Sequence, residues 1–186
     1  MISHHWIISI ILSPKLSSDG KSLDKESTNI SVKTTHLNNT LFVYGSLMSG
    51  VATPIATYLK SNSIFLGEAK LEGKLYDLGK YPGLVPEVGC GQWVKGHVFE
   101  LSDAKKMLPV LDKYEGTTIA FEQPTEYIRV EASVQLNNQA VTCWLYRYNY
   151  PTDHLSLISS GDYLAHLSET PAYQEFLRSL VDYTRH

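Results

Sequence analysis

Between residues 41 and 150, glycine-rich turns divide the chain into apolar runs about as long as β-strands, and this pattern constrains the fold more than any other feature. The last run carries apolar side chains on both faces, which is typical of a strand with neighbours on both sides. Six strands are therefore predicted, with these bounds: Leu41 to Tyr44, Ile64 to Leu71, Gly73 to Tyr76, Gln92 to Leu101, Glu126 to Leu136 and Gln139 to Tyr150.

Three helices are predicted, each opening at a capping residue or a proline. They run from Pro54 to about Leu59, from Ala104 to Tyr114, and from Pro171 onward as an amphipathic helix. Pro109 is expected to break or kink the second helix into two pieces, and Gly116 to end it. Because strands outnumber helices and do not alternate with them, the sequence predicts an α+β fold, a small mixed or antiparallel β-barrel with flanking helices.

The chain of 186 residues is long enough for one domain with a substantial core. Residues 14–40 contain no aromatic residue and are mostly polar, so residues 1–39 are expected to form a disordered leader. The barrel domain is placed at residues 40–168 and the amphipathic C-terminal helix at 169–186. The apolar stretch Trp6 to Leu12 is too short to span a membrane, and a soluble, cytoplasmic protein is expected.

Charge and metal-binding residues exclude several classes of function. A net charge of −3 gives no basic surface for a phosphate backbone, so no nucleic acid partner is predicted. Cys90 and Cys143 do not form a CxxC pair, and His97, His154 and His166 each stand singly. We therefore predict neither a metal site nor a disulfide framework.

Glycine follows the first predicted strand at once, in Tyr44-Gly45-Ser46-Leu47. A backbone without Cβ can approach a ligand closely, and successive N–H groups at such a turn can hold a carboxylate or an oxyanion. An ordinary tight turn is the alternative interpretation, and the motif alone does not decide between the two.

Glu115 lies between an aromatic residue and a glycine at the predicted end of the second helix. In a partly apolar cleft its charged form would be disfavoured, which raises its pKa toward neutrality and suits it to general acid and base catalysis. The alternative is that Glu115 and the nearby Asp112 are solvated charges at a helix end.

Two further features are less specific. The segment Lys80 to Leu84 contains Pro82 and Gly83 and is expected to form a turn. Arg129 lies in a predicted strand, where it could orient a carboxylate through two hydrogen bonds, although an ion pair at the barrel surface is favoured for it.

Taken together and in this order, these segments resemble the gamma-glutamylcyclotransferase-like family, also called AIG2-like. The resemblance covers about residues 41 to 163. It rests on Leu41 to Leu47, Tyr81-Pro82-Gly83, Gly96 to Leu101, Leu111 to Gly116, Tyr127-Ile128-Arg129, Cys143 to Tyr148 and Gly161-Asp162-Tyr163.

The resemblance implies a small β-barrel whose cavity binds a γ-glutamyl group and converts it to 5-oxoproline with release of an amine, without a cofactor. It implies that Glu115 is the catalytic acid and base. It also implies that the loop after the first strand and nearby residues bind the substrate: Tyr44, Gly45, Ser46, Leu47, Tyr81, Gly83, Arg129 and Tyr148. The loop continues Met48-Ser49-Gly50 and lacks the Trp of the glutathione-specific branch, so the resemblance does not single out glutathione.

Other functions fit the sequence less well. Ser46 lacks the GxSxG context of a serine hydrolase nucleophile. A non-catalytic binding or regulatory module that keeps the pocket, with the last helix as a partner surface, is the alternative that stays open. The presence of a carboxylate at Glu115 favours the enzyme.

Overall fold

The computed structural model describes residues 38–45, 47–48 and 53–171. Within these ranges the chain forms three helices and seven strands. The helices are α1 (Pro54–Ser61), α2 (Ala104–Tyr114) and α3 (Tyr163–Glu169). The strands are β1 (Thr40–Val43), β2 (Ser63–Asp77), β3 (Pro82–Pro86), β4 (Trp93–Leu101), β5 (Tyr127–Leu136), β6 (Gln139–Tyr148) and β7 (Ser156–Leu157).

Five of the strands close into a barrel. The order is β2, β4, β1, β6 and β5, and β5 pairs back with β2 at Ala69 and Lys70. All these pairs are antiparallel except that of β1 with β6, which is parallel, so the barrel is mixed. The far end of β2 extends further and pairs with β3 and β7. The predicted fold class is confirmed, and β6 has a neighbour on each side as expected.

Alternation along the strands divides the apolar residues into two cores. One core fills the barrel and receives buried side chains from all five of its strands, among them Phe42, Leu71, Val98, Val134 and Leu145. The other lies on the outer face under α1 and α2, and includes Leu41, Val43, Leu59, Phe99, Met107 and Leu111. Because β1 contributes to both, its end is fixed from two sides.

The helix starts follow the predicted caps. The Thr53 side chain accepts the Ala56 N–H at 3.2 Å, and the Asp103 side chain accepts the Lys106 N–H at 3.2 Å. Gly116, with φ of 66°, follows the end of α2 in the left-handed conformation that glycine adopts without strain.

Of the predicted break or kink at Pro109, the break is wrong, because α2 is one helix of 11 residues. Pro109, Lys105 and Val110 lie on the exposed side of the helix, where water can bond a carbonyl that proline leaves without an N–H partner. The opposite side, including Met107 and Leu111, is buried against the barrel. Packing of that side keeps the helix continuous.

Pro82 and Gly83 do not form the predicted turn. They are the first two residues of β3 and pair with Asp77 and Tyr76 of β2. The turn lies just before them, where the Leu78 N–H donates to the Tyr81 carbonyl at 3.1 Å.

Several boundaries also differ. The strands predicted at 64–71 and 73–76 are one strand, while β7 and α3 were not predicted. Asn38 and Asn39, placed in the leader, are bonded to the barrel: the Trp144 Nε1–H donates to the Asn38 carbonyl at 2.9 Å, and the Leu101 N–H to the Asn39 carbonyl at 2.7 Å. Residues 1–37 of the predicted leader and the helix predicted after Pro171 lie outside the described residues.

None of the helices in the described ranges is long and apolar enough to cross a membrane.

Candidate functional site

A cavity of about 210 Å³ opens where β1 ends, beside the C-terminal end of α2. Sites for drug-sized ligands are typically larger, at about 300–1,000 Å³, so this one suits a group of amino-acid size. Five stretches distant in sequence meet there. They are the end of β1 with the loop after it, Tyr81-Pro82 before and in β3, Tyr114-Glu115 after α2, Glu126-Tyr127 at the start of β5, and Tyr146 of β6.

Glu115 is the first residue beyond α2, and the end of the helix fixes its position. Its N–H donates to the Leu111 carbonyl at 2.9 Å, and the backbone has φ of −78° and ψ of 0°. Burial, reinforced by the charge of Glu126, raises the pKa of the Glu115 carboxyl from 4.5 to about 7. A carboxyl with this pKa can both accept and return a proton at neutral pH.

The Glu115 charge acts on three buried tyrosines of the cavity, Tyr44, Tyr127 and Tyr146. Burial is the main reason that the pKa of each phenol is raised, and the Glu115 carboxylate raises it further. All three therefore stay protonated at neutral pH, and the carboxylate lies among them.

The tyrosine hydroxyls use their hydrogens within the protein. Tyr44 donates to the Tyr146 carbonyl at 2.6 Å, Tyr127 to the Pro82 carbonyl at 2.9 Å, Tyr146 to Asp112 Oδ1 at 2.9 Å and Tyr81 to Glu126 Oε2 at 3.0 Å. Toward a ligand, these oxygens can only accept hydrogen bonds. The cavity wall is thus well suited to hold an ammonium group.

The loop after β1 lies close to β3. It closes as a tight turn in which the Met48 N–H donates to the Gly45 carbonyl at 2.8 Å. A Cβ on Gly45 would stand 2.9 Å from Pro82 Cγ, so only glycine lets β3 and the loop approach this closely. The segments around Gly45 and Pro82 thereby face the same cavity. Ser46 lies outside the described residues.

Glu126, which sequence reasoning did not single out, is a second carboxylate in the cavity. It immediately precedes β5, and its carbonyl accepts the Asn149 N–H at 2.8 Å. Its side chain accepts the Tyr81 hydroxyl, which is 45 residues away along the chain. The only sequence signal was an acidic residue directly before a strand that begins with a tyrosine.

Arg129 acts on the cavity through other residues. Its Nη1 lies 3.2 Å from Asp112 Oδ2, its guanidinium stacks over the Trp144 ring at 4.9 Å, and it is not among the residues that line the cavity. Asp112 in turn accepts the Tyr146 hydroxyl. Arg129 thus forms the ion pair that the sequence favoured for it, and that pair helps to hold Tyr146.

The structure brings Tyr44, Gly45, Leu47, Tyr81 and Glu115 together in the cavity lining. Gly83, Arg129 and Tyr148 lie outside the lining. Gly83 and Tyr148 pack on each other, since a Cβ on Gly83 would stand 3.0 Å from the Tyr148 ring. These two residues support the wall behind Tyr81 and Tyr127, whose rings are 6.2 Å apart.

A second cavity of about 520 Å³ lies against β2, β4 and α3 and contains none of the residues that the sequence assigned to the substrate. Its charges are partly paired with each other: Lys95 Nζ lies 3.3 Å from Asp162 Oδ2. The carboxyl with a pKa raised toward neutrality, Glu115, lies in the first cavity. In the described part of the chain, no group of three or more His, Cys, Asp or Glu side chains is placed to hold a metal ion.

Comparison with known proteins identifies relatives of the chain over most of its length. Residues 41–165 match the family model described as "Gamma-glutamyl cyclotransferase, AIG2-like". The gamma-glutamylcyclotransferase family protein YtfP of Escherichia coli K12 is 33% identical over 125 residues, which are 67% of this chain and 95% of YtfP. Its counterpart in Citrobacter rodentium is 32% identical over 125 residues, covering 67% of this chain and 94% of that protein.

Solved structures show the same fold. An AIG2-like protein of Mus musculus superimposes with a TM-score of 0.54 and 25% identity, over 74% of this chain and 93% of the mouse chain. YkqA of Bacillus subtilis superimposes with a TM-score of 0.53 and 24% identity, over 70% of this chain and 41% of YkqA.

Proposed function

The chain belongs to the AIG2-like gamma-glutamyl cyclotransferase family, and from this premise we propose that it converts a γ-glutamyl amine or γ-glutamyl amino acid to 5-oxoproline with release of the amine. One observation carries the proposal. Glu115, with a pKa raised to about 7 by burial and by the charge of Glu126, lies in a small cavity that also contains the Gly45 loop.

The α-amine of the substrate is mostly protonated at neutral pH and must lose a proton before it attacks. The Glu115 carboxylate takes that proton. The surrounding tyrosine oxygens accept hydrogen bonds from the remaining N–H groups of the substrate nitrogen. The free amine then attacks the γ-carbonyl carbon of the same molecule. Because nucleophile and electrophile are already linked, the protein's main task is to hold the substrate in a folded conformation.

Attack forms the ring C–N bond and places a negative charge on the carbonyl oxygen. Backbone N–H groups of Gly45 and Leu47, which line the cavity, are the proposed donors for this oxyanion, at about 3 kcal/mol for each well-placed donor. The bond to the departing amine breaks as protonated Glu115 gives its proton to that nitrogen. The ring nitrogen loses a second proton, and at neutral pH both protons finish on the released ammonium.

The test is incubation of the purified full-length protein with glutathione, several γ-glutamyl amino acids, γ-glutamyl-ε-lysine and simple γ-glutamyl amines, with 5-oxoproline as the readout. At least one compound should yield 5-oxoproline and amine in equal amounts. Acylation of its α-amine should abolish turnover, because the nucleophile is then blocked. Release of amine from the acylated compound at a comparable rate would indicate hydrolysis instead, and tight binding without any product would indicate a non-catalytic binding module.

A further inference from the structure

The charges of the cavity are unbalanced. Two of its residues are acidic, Glu115 and Glu126, and none of the described residues that line it is Lys, Arg or His. Four of its tyrosine hydroxyls already donate within the protein, so their oxygens can only accept from a ligand. Side chains of this kind attract cations and repel anions.

The two carboxylates belong to residues that are both partly exposed, and their surroundings differ. Glu115 is surrounded by tyrosines that include Tyr44, which is 7% exposed, so this carboxylate marks the inner end. Glu126 is bonded to Tyr81, which is 39% exposed. Glu126 therefore belongs to the mouth of the cavity.

Glu126 is held firmly at that mouth. Its backbone carbonyl accepts the Asn149 N–H at 2.8 Å, and the Asn149 side chain donates to the carbonyl of the preceding residue, Thr125, at 3.0 Å. The Tyr81 hydroxyl takes up one of several acceptor positions on the carboxylate, which leaves room for a further donor. The aromatic faces beside it add a favourable surface for a cation.

In the proposed reaction the glutamyl end of the substrate must reach Glu115, so the departing amine extends toward the mouth and passes Glu126. We propose that the preferred substrates are γ-glutamyl amides whose departing amine carries a second, positively charged group and no carboxylate, and that Glu126 beside Tyr81 selects them. This inference rests on the proposed function. It assigns Glu126 as the residue that discriminates among γ-glutamyl compounds.

The experiment uses three substrates that differ in charge at one end of a tail of similar length. They are γ-glutamyl-1,4-diaminobutane with a cationic tail, γ-glutamyl-pentylamine with a neutral tail, and γ-glutamyl-4-aminobutanoate with an anionic tail. We expect kcat/KM for 5-oxoproline formation to be about tenfold higher for the cationic than for the neutral compound, and lowest for the anionic one, as a charge-assisted hydrogen bond to a fixed carboxylate would give. The difference should appear mainly in KM and should shrink in 0.5 M NaCl, because salt screens a partly exposed pair.

In Glu126→Gln, the kcat/KM values for the cationic and neutral substrates should lie within about threefold of each other, since the amide keeps the shape of the side chain and loses its charge. Glu122→Gln is the matched control, because it removes an equal charge from an exposed position outside the lining. It should leave the preference intact.

The outcomes separate the two proposals. If none of the three compounds, nor any in the broader panel, yields 5-oxoproline, the proposed function fails. If all three are converted with similar kcat/KM, the function stands and the inference about Glu126 is overturned. The inference is also overturned if Glu126→Gln keeps the preference for the cationic substrate. If that variant does not fold, the ranking of the three substrates by the parent protein and its dependence on salt test the inference instead.

Discussion

An acid–base group is most effective when its pKa lies near the pH at which it operates. At the level of a single residue, Glu115 meets this requirement because burial and, second, the charge of Glu126 raise its pKa from 4.5 to about 7. The family resemblance identified this residue from the sequence. The contribution of Glu126 to the raised pKa of Glu115 could not be predicted from the sequence. The two residues are 11 positions apart, and only the folded chain brings their carboxylates into one cavity.

The pH dependence of kcat/KM should report this pKa. The reaction needs Glu115 ionised in the free enzyme, so kcat/KM is expected to rise with pH and level off above about 7. Steady-state rates between pH 5 and 8.5 would locate the midpoint. Glu126→Gln should move the midpoint to lower pH, since it removes a charge that raises the pKa. A parental midpoint near 4.5 would contradict the buried setting of Glu115.

Glu115→Gln should lower the rate by about 10,000-fold or more, because the amide keeps the size but cannot accept and return a proton. Binding of the glutamyl group should persist, measurable by calorimetry with an unreactive analogue. Asp112→Asn is the matched control. It keeps an oxygen for the Tyr146 hydroxyl and weakens only the contact with Arg129, so it should lower the rate far less than Glu115→Gln does. Retention of more than about a tenth of the parental rate by Glu115→Gln, a loss below about 1.4 kcal/mol, would refute its role.

The same substitution should change how stability depends on pH. The folded protein favours protonated Glu115, so this contribution to stability is fully present below pH 4.5 and is lost as pH rises through about 7. The difference between the two pKa values corresponds to about 3 kcal/mol. Glu115→Gln should therefore match the parent in acid and be the more stable protein at pH 8. Denaturant unfolding of both proteins at pH 4 and pH 8 measures this. The prediction would be contradicted if the difference in unfolding free energy between the variant and the parent were the same at both pH values.

Secondary-structure elements were predictable where local chemistry and packing agree. The N-caps of α1 and α2 and most strands follow from the sequence, but β3 and the continuity of α2 do not. Pro82 and Gly83 have the local character of a turn, and their pairing with β2 together with the contact between Gly83 and Tyr148 makes them a strand instead. Pro109 likewise lies inside a helix because the opposite side of α2 is buried.

The contact between the loop and β3 can be tested by a double-mutant cycle. Gly45→Ala places a Cβ 2.9 Å from Pro82 Cγ and 3.1 Å from Cδ, so the loop or the strand must move and the oxyanion donors move with it. We expect at least a tenfold loss of kcat, since small displacements at a reacting centre are costly. Pro82→Ala removes both colliding atoms, and the double variant should recover part of the rate. Losses that simply add would show that the two residues do not act on each other.

At the scale of the whole molecule, barrel closure produces the site. β1 lies between β4 and β6, which sets Tyr44 beside Tyr146, while β5 carries Glu126 to the same end. The order of short motifs was enough to predict the family and the barrel. It did not predict which members line the cavity. Arg129 and Tyr148 belong to the same motifs as Tyr127 and Tyr146 and lie opposite Tyr146 and Tyr127 on β5 and β6, yet only Tyr127 and Tyr146 reach the lining.

Truncation from the N-terminus tests where the folded domain begins. Deletion of residues 1–37 should leave the melting temperature and the rate nearly unchanged, because the composition of this segment is unable to build a core. Deletion of residues 1–39 also removes Asn38 and Asn39, whose carbonyls accept hydrogen bonds from Trp144 Nε1 and the Leu101 N–H, and whose side chains donate to Glu131 and Glu100. At about 0.5–1.5 kcal/mol for each bond, that loss should lower the melting temperature by about 5 °C or more. Thermal unfolding of the two truncated proteins makes the comparison, and an equal fall in both would show that residues before Asn38 stabilise the barrel.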